Sequence, residues 1–493
     1  MAATALRFHV WVTTTAEPGP ASVTVRNGRA KPHLTAAERV ERGRAVRSEV
    51  PRSSLGDWAP APDRRDPIEL LDQQAQTRVP ELVPIRHGRM LVSPFTFYRG
   101  GAFLMAADLD ACPRTGLIAQ LCGDAHLSNF GIYAAPDRRQ VFSVNDFDET
   151  LPGPFEWDVK RLVASFAVAG RDRGFDARRR EAINRTVGKA YRESMRDFAG
   201  ERQLDLWYAR IDVDDIAVRL AERASPKEVR RFDRNVAKTR SKDSLKAFGK
   251  LTELVDGQPR IIGDPPLIVT IEDVASDEEL PQIEQFINRI IRDYRRSLPN
   301  DRRHLIEQFH YAHAARKVVG VGSVGTRAWI TLMQGRDADD PLFLQVKEAE
   351  ASVLEPYLGR SAFSNHGKRV VEGQRLMQAA SDLMLGWVRI NGIDGISRDF
   401  YVRQLWDQKG SANVETMAPN MMSSYAELCG WTLAKAHARS GDPVAIAGYL
   451  GSGTTFDRAL AAFAETYADQ NERDYAAFRD AVDAGRLSAT PGL

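Results

Sequence analysis

A chain of 493 residues is long for one domain, and its 43% hydrophobic content supplies a substantial core. With 68 basic against 66 acidic residues, a formal net charge of +2 predicts no general attraction to nucleic acid. No apolar run approaches the ~20 residues of a membrane span, and Cys112, Cys122 and Cys429 are too few and too scattered for a disulfide framework or a zinc site. The opening, Met1-Ala-Ala-Thr-Ala-Leu-Arg-Phe-His-Val-Trp11, lacks a basic head followed by an uninterrupted apolar core, so a cytoplasmic location is expected. Residues 1–60, rich in Pro, Gly, Thr, Arg and Ala, predict a partly irregular extension.

The apolar run Leu117–Leu121 predicts a strand that enters a polar turn, Leu121-Cys-Gly-Asp-Ala-His-Leu-Ser-Asn-Phe130. Val141 to Val144 then predict a short strand that ends in Asn145-Asp146-Phe147-Asp148. Strand ends thus present two carboxylates and an amide: Asp124, Asn129 five residues on, and Asp146. Phosphoryl transfer needs that set, with one carboxylate orienting the attacking hydroxyl while an amide and a second carboxylate hold Mg²⁺ against nucleotide phosphates. Asp-x4-Asn alone is a weak signal, since both residue types also bond their own backbone in ordinary turns. Glu156-Trp-Asp158 precedes Val159, Leu162, Val163 and Phe166, an apolar stripe at helical spacing. Asp158 is expected to be its N-cap, a structural role without chemistry. From Pro226 to Lys250, nine basic residues, among them Arg230, Arg231 and Arg234, stand against three acids. With aromatics for base stacking nearly absent, this segment reads as a solvated helix and loop.

Further on stands Val318-Val-Gly320-Val-Gly322-Ser323-Val-Gly325. A dinucleotide fold would need a helix straight after these glycines, but Trp329, Ile330, Thr331 and Leu332 favour a strand. Gly335 to Pro341 is a turn, and a second strand delivers Lys347. Glycines let a backbone close over phosphate oxygens without a Cβ in the way, with Lys347 against the α- and β-phosphates. Val370, Val371, Gln374, Leu376, Met377 and Ala380 predict a helix that brings Glu372 to Lys347, with Glu355 as its competitor. Phe400–Trp406 reads as a strand, and Tyr425–Ser440 as a helix.

Strand, glycine turn, strand, turn and lysine strand resemble the amino-terminal lobe of a kinase. The Gly-Asp-x-His-x-x-Asn form resembles the aminoglycoside and choline phosphotransferases. In this chain the catalytic half precedes the nucleotide-covering half. The resemblance therefore implies an α+β, bilobal protein-kinase-like fold in circularly permuted order. The expected parts are the extension at 1–60, a mainly helical catalytic lobe at 61–300, a small lobe at 301–410, and returning helices at 411–493. Permutation is tolerable when termini fall in exposed segments.

The run also resembles the bacterial family of domain of unknown function 2252. The matching stretches include Val50–Ser53, Pro80–Arg86, Phe97–Gly100, Leu121–His126, Asn145–Thr150, Glu156–Arg161, Gln345–Ala349 and Tyr467–Asn471. That family implies no established activity, and Cys122 stands where the phosphotransferases usually have histidine.

From the kinase-like resemblance the expected function is ATP-dependent phosphoryl transfer to a hydroxyl of a small-molecule acceptor. Asp124 would be the catalytic base; Asn129 and Asp146 would hold Mg²⁺ with Asp148 assisting; Gly320, Gly322, Ser323, Gly325, Lys347 and Glu372 would form the nucleotide site. His126 would order the turn, and Arg99 reads as either a phosphate contact or an ordinary ion pair. Two alternatives stand beside this reading: AMP transfer on the same scaffold, and a nucleotide-binding regulatory module without turnover. A protein acceptor is a further alternative, while neither nucleic acid nor membrane is expected as a partner.

Overall fold

The computed structural model of the chain describes residues 34–223, 226–273, 280–318, 320–337, 339–392, 394–405 and 407–492, with backbone strands at 23–26 and 29–32. The irregular extension expected over 1–60 lies outside the described residues up to residue 22. From Thr35 to Gly56 it is mostly helical, and residues 57–60 carry no regular structure. Helix α1 (Ala36–Glu49) opens with a capping box in which the Thr35 hydroxyl accepts from the Glu38 N–H and Glu38 reaches back to the Thr35 N–H. Arg39 on α1 pairs with Asp442 at 2.9 Å, fastening it to the carboxy-terminal helices. Arg64 is gripped by Asp108 and Asp474 at 2.6 and 2.7 Å, tying the next segment to both of its neighbours.

Helix α2 (Pro94–Gly100) precedes β1 (Ile118–Leu121), which runs into the 122–129 turn. Strands β2 (Phe130–Ala134) and β3 (Gln140–Val144) form an antiparallel hairpin with Phe130 opposite Val144. Strand β4 (Leu151–Pro154) returns to pair antiparallel with β1. The acidic turn 145–150 therefore hangs between two strands, beside the 122–129 turn. Helices α3 (Phe155–Asp172) and α4 (Ala177–Gly200) follow. The stripe Val159, Leu162, Val163 and Phe166 is fully enclosed, as the helical spacing requires.

A six-stranded antiparallel sheet forms the second body. Its strands are β5 (Ile268–Thr270), β6 (His310–Lys317), β7 (Ala328–Gln334), β8 (Pro341–Ala349), β9 (Gly386–Asn391) and β10 (Ser397–Gln404), with helix α5 (His366–Met377) between β8 and β9. They lie in the order β5-β6-β7-β8-β10-β9. The expected division at residue 300 is too late. Ala247, Leu251 and Ile261 pack with Ile268, Ala315 and Ile330, while Tyr294, Leu298 and Ile306 pack with Met333, Leu344 and Phe400. Helical periodicity marks an apolar face in 244–306 but not the body that the face meets.

Helices α6 (Pro419–Ser440) and α7 (Thr455–Asp483) return to the first body. Their Cys429, Leu433, Leu460 and Phe463 share one core with Leu121, Leu162, Phe166 and Tyr191. At roughly 1.5–3 kcal/mol for each fully buried large apolar side chain, this shared core holds the two ends of the chain together. The fold is thus mixed α+β. No helix among the described residues is long and apolar enough to cross a membrane.

Candidate active site

The 122–129 turn depends on a glycine. Gly123 has φ +84°, and a Cβ there would lie 2.2 Å from the Glu149 carbonyl oxygen. The backbone N–H groups of Cys122 and Gly123 donate to the Asp158 carboxylate at 2.7 and 3.0 Å. His437 Nε2 approaches the same carboxylate at 3.2 Å, and its Nδ1 meets the Tyr191 hydroxyl at 2.9 Å. Asp158 is therefore not an N-cap. Pro154 holds that position, and Asp158, inside the first turn of α3, accepts the turn's buried N–H groups. Asp158→Ala would orphan two buried N–H groups and is expected to lower unfolding free energy by about 3 kcal/mol in urea titration. A loss under ~1 kcal/mol would show that Asp158 does not hold the turn.

Asp124 lies on this turn. Its Oδ1 accepts from Arg161 Nε at 2.9 Å and Nη2 at 2.8 Å. Arg161 also donates to the Tyr98 carbonyl at 2.8 Å, and its guanidinium lies 4.0 Å over the Tyr98 ring. Burial pushes the Asp124 carboxyl above its ordinary value, and Arg161 pulls against that rise. His126 Nδ1 accepts the Ser128 N–H at 3.2 Å, so its proton sits on Nε2, which faces Asp124 Oδ2 at 3.6 Å. Burial holds this imidazole well below its ordinary value, and hence neutral. Asn129 Nδ2 donates to the Asp124 carbonyl at 2.8 Å, while its own carbonyl accepts the Asn145 N–H at 3.0 Å. The spacing of five thus has a mechanical origin: the amide nitrogen closes the turn and leaves Oδ1 without a donor among the described residues.

The distant segments meet at the acidic turn. Asp148 Oδ2 accepts from Lys347 Nζ at 2.6 Å and from the Ser323 hydroxyl at 3.1 Å. Its Oδ1 accepts from the Tyr401 hydroxyl at 2.6 Å. Burial works to raise the Asp148 carboxyl, but Lys347 and Tyr401 hold it down at about 2. Burial likewise opposes the Lys347 ammonium, and Asp148 more than restores it, to above its ordinary value. Among the described residues Asp146 Oδ1 accepts only the Asp148 N–H, at 3.3 Å, and burial with the neighbouring Asp148 charge pushes it upward. Asp148, Ser323 and Lys347 therefore meet where the two bodies join, and Asp146 beside them lies within the field of Asp124, whose turn Asn129 closes.

The glycine turn is held from below. Val324 is buried among Val79, Leu82 and Ile85, the Gly325 carbonyl accepts the Val79 N–H at 2.8 Å, and Arg78 donates to the Val324 carbonyl. Gly320 receives Arg89 on its carbonyl, and the Gly322 backbone lies against the Arg99 carbonyl. This support from residues 78–99 had no signal in the sequence.

Glu372 does not reach Lys347. It pairs with Arg375 at 3.3 Å, and Glu355 lies 3.7 Å from His366. The residue that α5 sends into the junction is the buried Arg369, which donates to the carbonyls of Asp148, Thr150 and Glu350, each at 2.8 Å. The acidic turn approaches Lys347 more closely than α5 does, so it supplies the counter-charge. Sequence reasoning also missed Tyr401 and Arg403. Tyr401 lies opposite Lys347 in the sheet, and Arg403 opposite Gln345, to which it donates at 3.0 Å. Period-two alternation along Phe400–Arg403 was the available signal, since it puts Tyr401 and Arg403 on one face. The basic segment 226–250 packs at the end of the β2–β3 hairpin away from the acidic turn, with Arg240 on Gln140 at 3.1 Å and the Lys242 carbonyl accepting the Gln408 N–H at 2.7 Å.

Among the described residues, no three His, Cys, Asp or Glu side chains converge as a metal-holding cluster. Of the three expected metal ligands, Asp148 has both carboxylate oxygens taken by Lys347, Ser323 and Tyr401, whereas Asn129 Oδ1 has no donor and Asp146 has only the Asp148 N–H among the described residues. No curated protein and no solved structure matches the chain. One family profile, described as an uncharacterized protein conserved in bacteria (DUF2252), matches residues 78–481. That span takes in the acidic turns, the glycine turn and the lysine strand alike, and the chain belongs to this bacterial family.

Proposed function

We propose that the chain is an ATP-dependent phosphotransferase, acting on a hydroxyl of a small-molecule acceptor, built on a protein-kinase-like fold in circularly permuted order. The observation that carries this reading is the 2.6 Å contact of Lys347 Nζ with Asp148 Oδ2. It brings the lysine strand and glycine turn, late in the chain, onto the acidic turns that come early. The succession of strand, glycine turn, strand, lysine strand, helix and two further strands follows the layout of a kinase amino-terminal lobe. A cytoplasmic location goes with an ATP donor.

In this reading Asp124 takes the proton of the acceptor hydroxyl, and Arg161 fixes which carboxylate oxygen stays free to do so. The neutral His126 adds no competing cation beside it. Asn129 and Asp146 would hold Mg²⁺, which keeps several waters and binds through one or two protein groups plus phosphates, so two donors suffice. Bound there, Mg²⁺ would offset charge on the phosphates. Lys347 and the backbone of Gly320 to Gly325, with Ser323, would receive the nucleotide phosphates. Most of the rate gain would come from positioning and fixed electrostatics.

The test is calorimetric titration of ATP with Mg²⁺ into the wild type and into Asp146→Ala and Lys347→Ala. Mg²⁺-dependent binding to the wild type, abolished by both substitutions, is the expected result. A folded wild type that binds neither ATP nor GTP would sink the reading. Release of pyrophosphate instead of ADP would redirect it to AMP transfer.

A further inference from the structure

Arg99 stands apart from the other guanidinium groups around this junction. Arg161 is bound to Asp124, Arg369 to three carbonyls, and Arg403 to Gln345 and the Asn145 carbonyl. Arg99, at the end of α2, has an Nε shut off from solvent with no hydrogen-bond partner. Its guanidinium makes no hydrogen bond or ion pair with any described residue. The charges it faces are Asp124, Asp146 and Glu415, the last from the segment leading into α6, and its field also reaches His126. The Arg99 carbonyl lies under Gly322, where an added Cβ would come within 3.4 Å. The Arg99 backbone thus lies under the glycine turn, and its guanidinium stands in the field of both the base candidate and the metal-holding candidate.

Arginine keeps its charge in any protein environment, and a planar fork of donors suits phosphate oxygens. Arg99 is half-buried, and shutting its Nε off from solvent without a partner is costly, a cost that an anion delivered beside it would relieve. We propose that Arg99 binds a phosphoryl group at this junction, acting as an arginine finger supplied by the chain's own amino-terminal segment. The inference rests on the ATP reading and deepens it, because it names a further group, besides Lys347, that meets the phosphoryl.

The experiment titrates the full chain, with Mg²⁺ present, with a non-hydrolysable ATP analogue, with ADP, and with inorganic phosphate added to the analogue-saturated protein. Wild type, Arg99→Ala and Arg99→Lys are compared, with circular dichroism and thermal unfolding to establish that each is folded. Arg99→Ala is expected to weaken the analogue on the order of 10- to 100-fold, to leave ADP within about twofold, and to be partly rescued by lysine. That pattern assigns Arg99 to the nucleotide's terminal phosphoryl. Unchanged nucleotide affinities with loss of phosphate binding would assign it to a phosphate on the acceptor. No change in any titration, or equal weakening of analogue and ADP, overturns the proposal while the ATP reading stands. If Arg99→Ala fails to fold, the same comparison on Arg99→Lys decides. A wild type that binds no nucleotide fails the underlying reading instead.

Discussion

Asp124→Asn is expected to keep Mg²⁺-dependent ATP binding and to lose phosphoryl transfer by on the order of 10²- to 10⁴-fold. The asparagine is nearly isosteric and retains an oxygen for Arg161, so the 122–129 turn should survive. On the proposed reading, what disappears is the proton acceptor. Burial pushes the Asp124 carboxyl upward, so its proton affinity as a base exceeds that of an exposed aspartate. The sign of the pH effect follows. Below the raised value the carboxyl is protonated and transfer falls, so the acid limb of the wild-type profile should lie above the ordinary aspartate range. Above it the base is free and that limb flattens. In Asp124→Asn the limb should vanish from the residual rate. ADP release across a panel of hydroxylated acceptors, measured between pH 4 and 9, checks both points. Residual transfer within about tenfold of wild type would remove Asp124 from the chemistry.

Local features were legible in the sequence because local physics produces them. Trp329 to Leu332 lie in β7 and Lys347 lies in β8 because β-branched and aromatic residues favour extended backbone between turn residues. The spacing of Asp124 and Asn129 was informative because the amide closes the turn that the aspartate opens. Relations across the chain were not legible. Glu372 was the natural partner for Lys347 on helical periodicity, yet periodicity fixes a face and not the distance to a strand. Asp148, 199 residues earlier in the chain, reaches the ammonium instead. Asp158 reads as a cap from its place before an apolar stripe, but the two N–H groups that claim it belong to another segment. The support of the glycine turn by Arg78, Val79 and Arg99 left no local trace, since residues of an ordinary bend and helix end do the work.

Lys347→Met should destabilise the chain by about 3 kcal/mol at neutral pH, because it strands the Asp148 carboxylate where the two bodies join. The side chains are 2% and 26% exposed, which puts the pair much nearer the buried regime than the surface one. Asp148→Asn should cost a comparable amount by stranding the ammonium. The double variant should be more stable than the sum of the single losses implies, since neither charge is then left alone. The acid branch gives an independent handle. Asp148 is held at about 2 in the folded chain, against an ordinary value of 3.8. A depressed carboxylate contributes stability above its unfolded value and loses it as pH falls, so roughly 2 kcal/mol should disappear as pH falls through that interval. The raised Lys347 works the other way: its contribution is complete below its unfolded value and lost only as pH rises through the folded one. Urea unfolding of the four chains at pH 7, 4 and 3 reads the Asp148 contribution alone, because Lys347 stays charged throughout that range. Additive single losses, or an acid slope unchanged in Lys347→Met, would mean that the contact does not bind the two bodies. The coupling would then reside in contacts that do not use Asp148's carboxylate, such as Arg369 on its three carbonyls, Gln378 on the Val144 carbonyl and Ser352 on the Glu149 carbonyl.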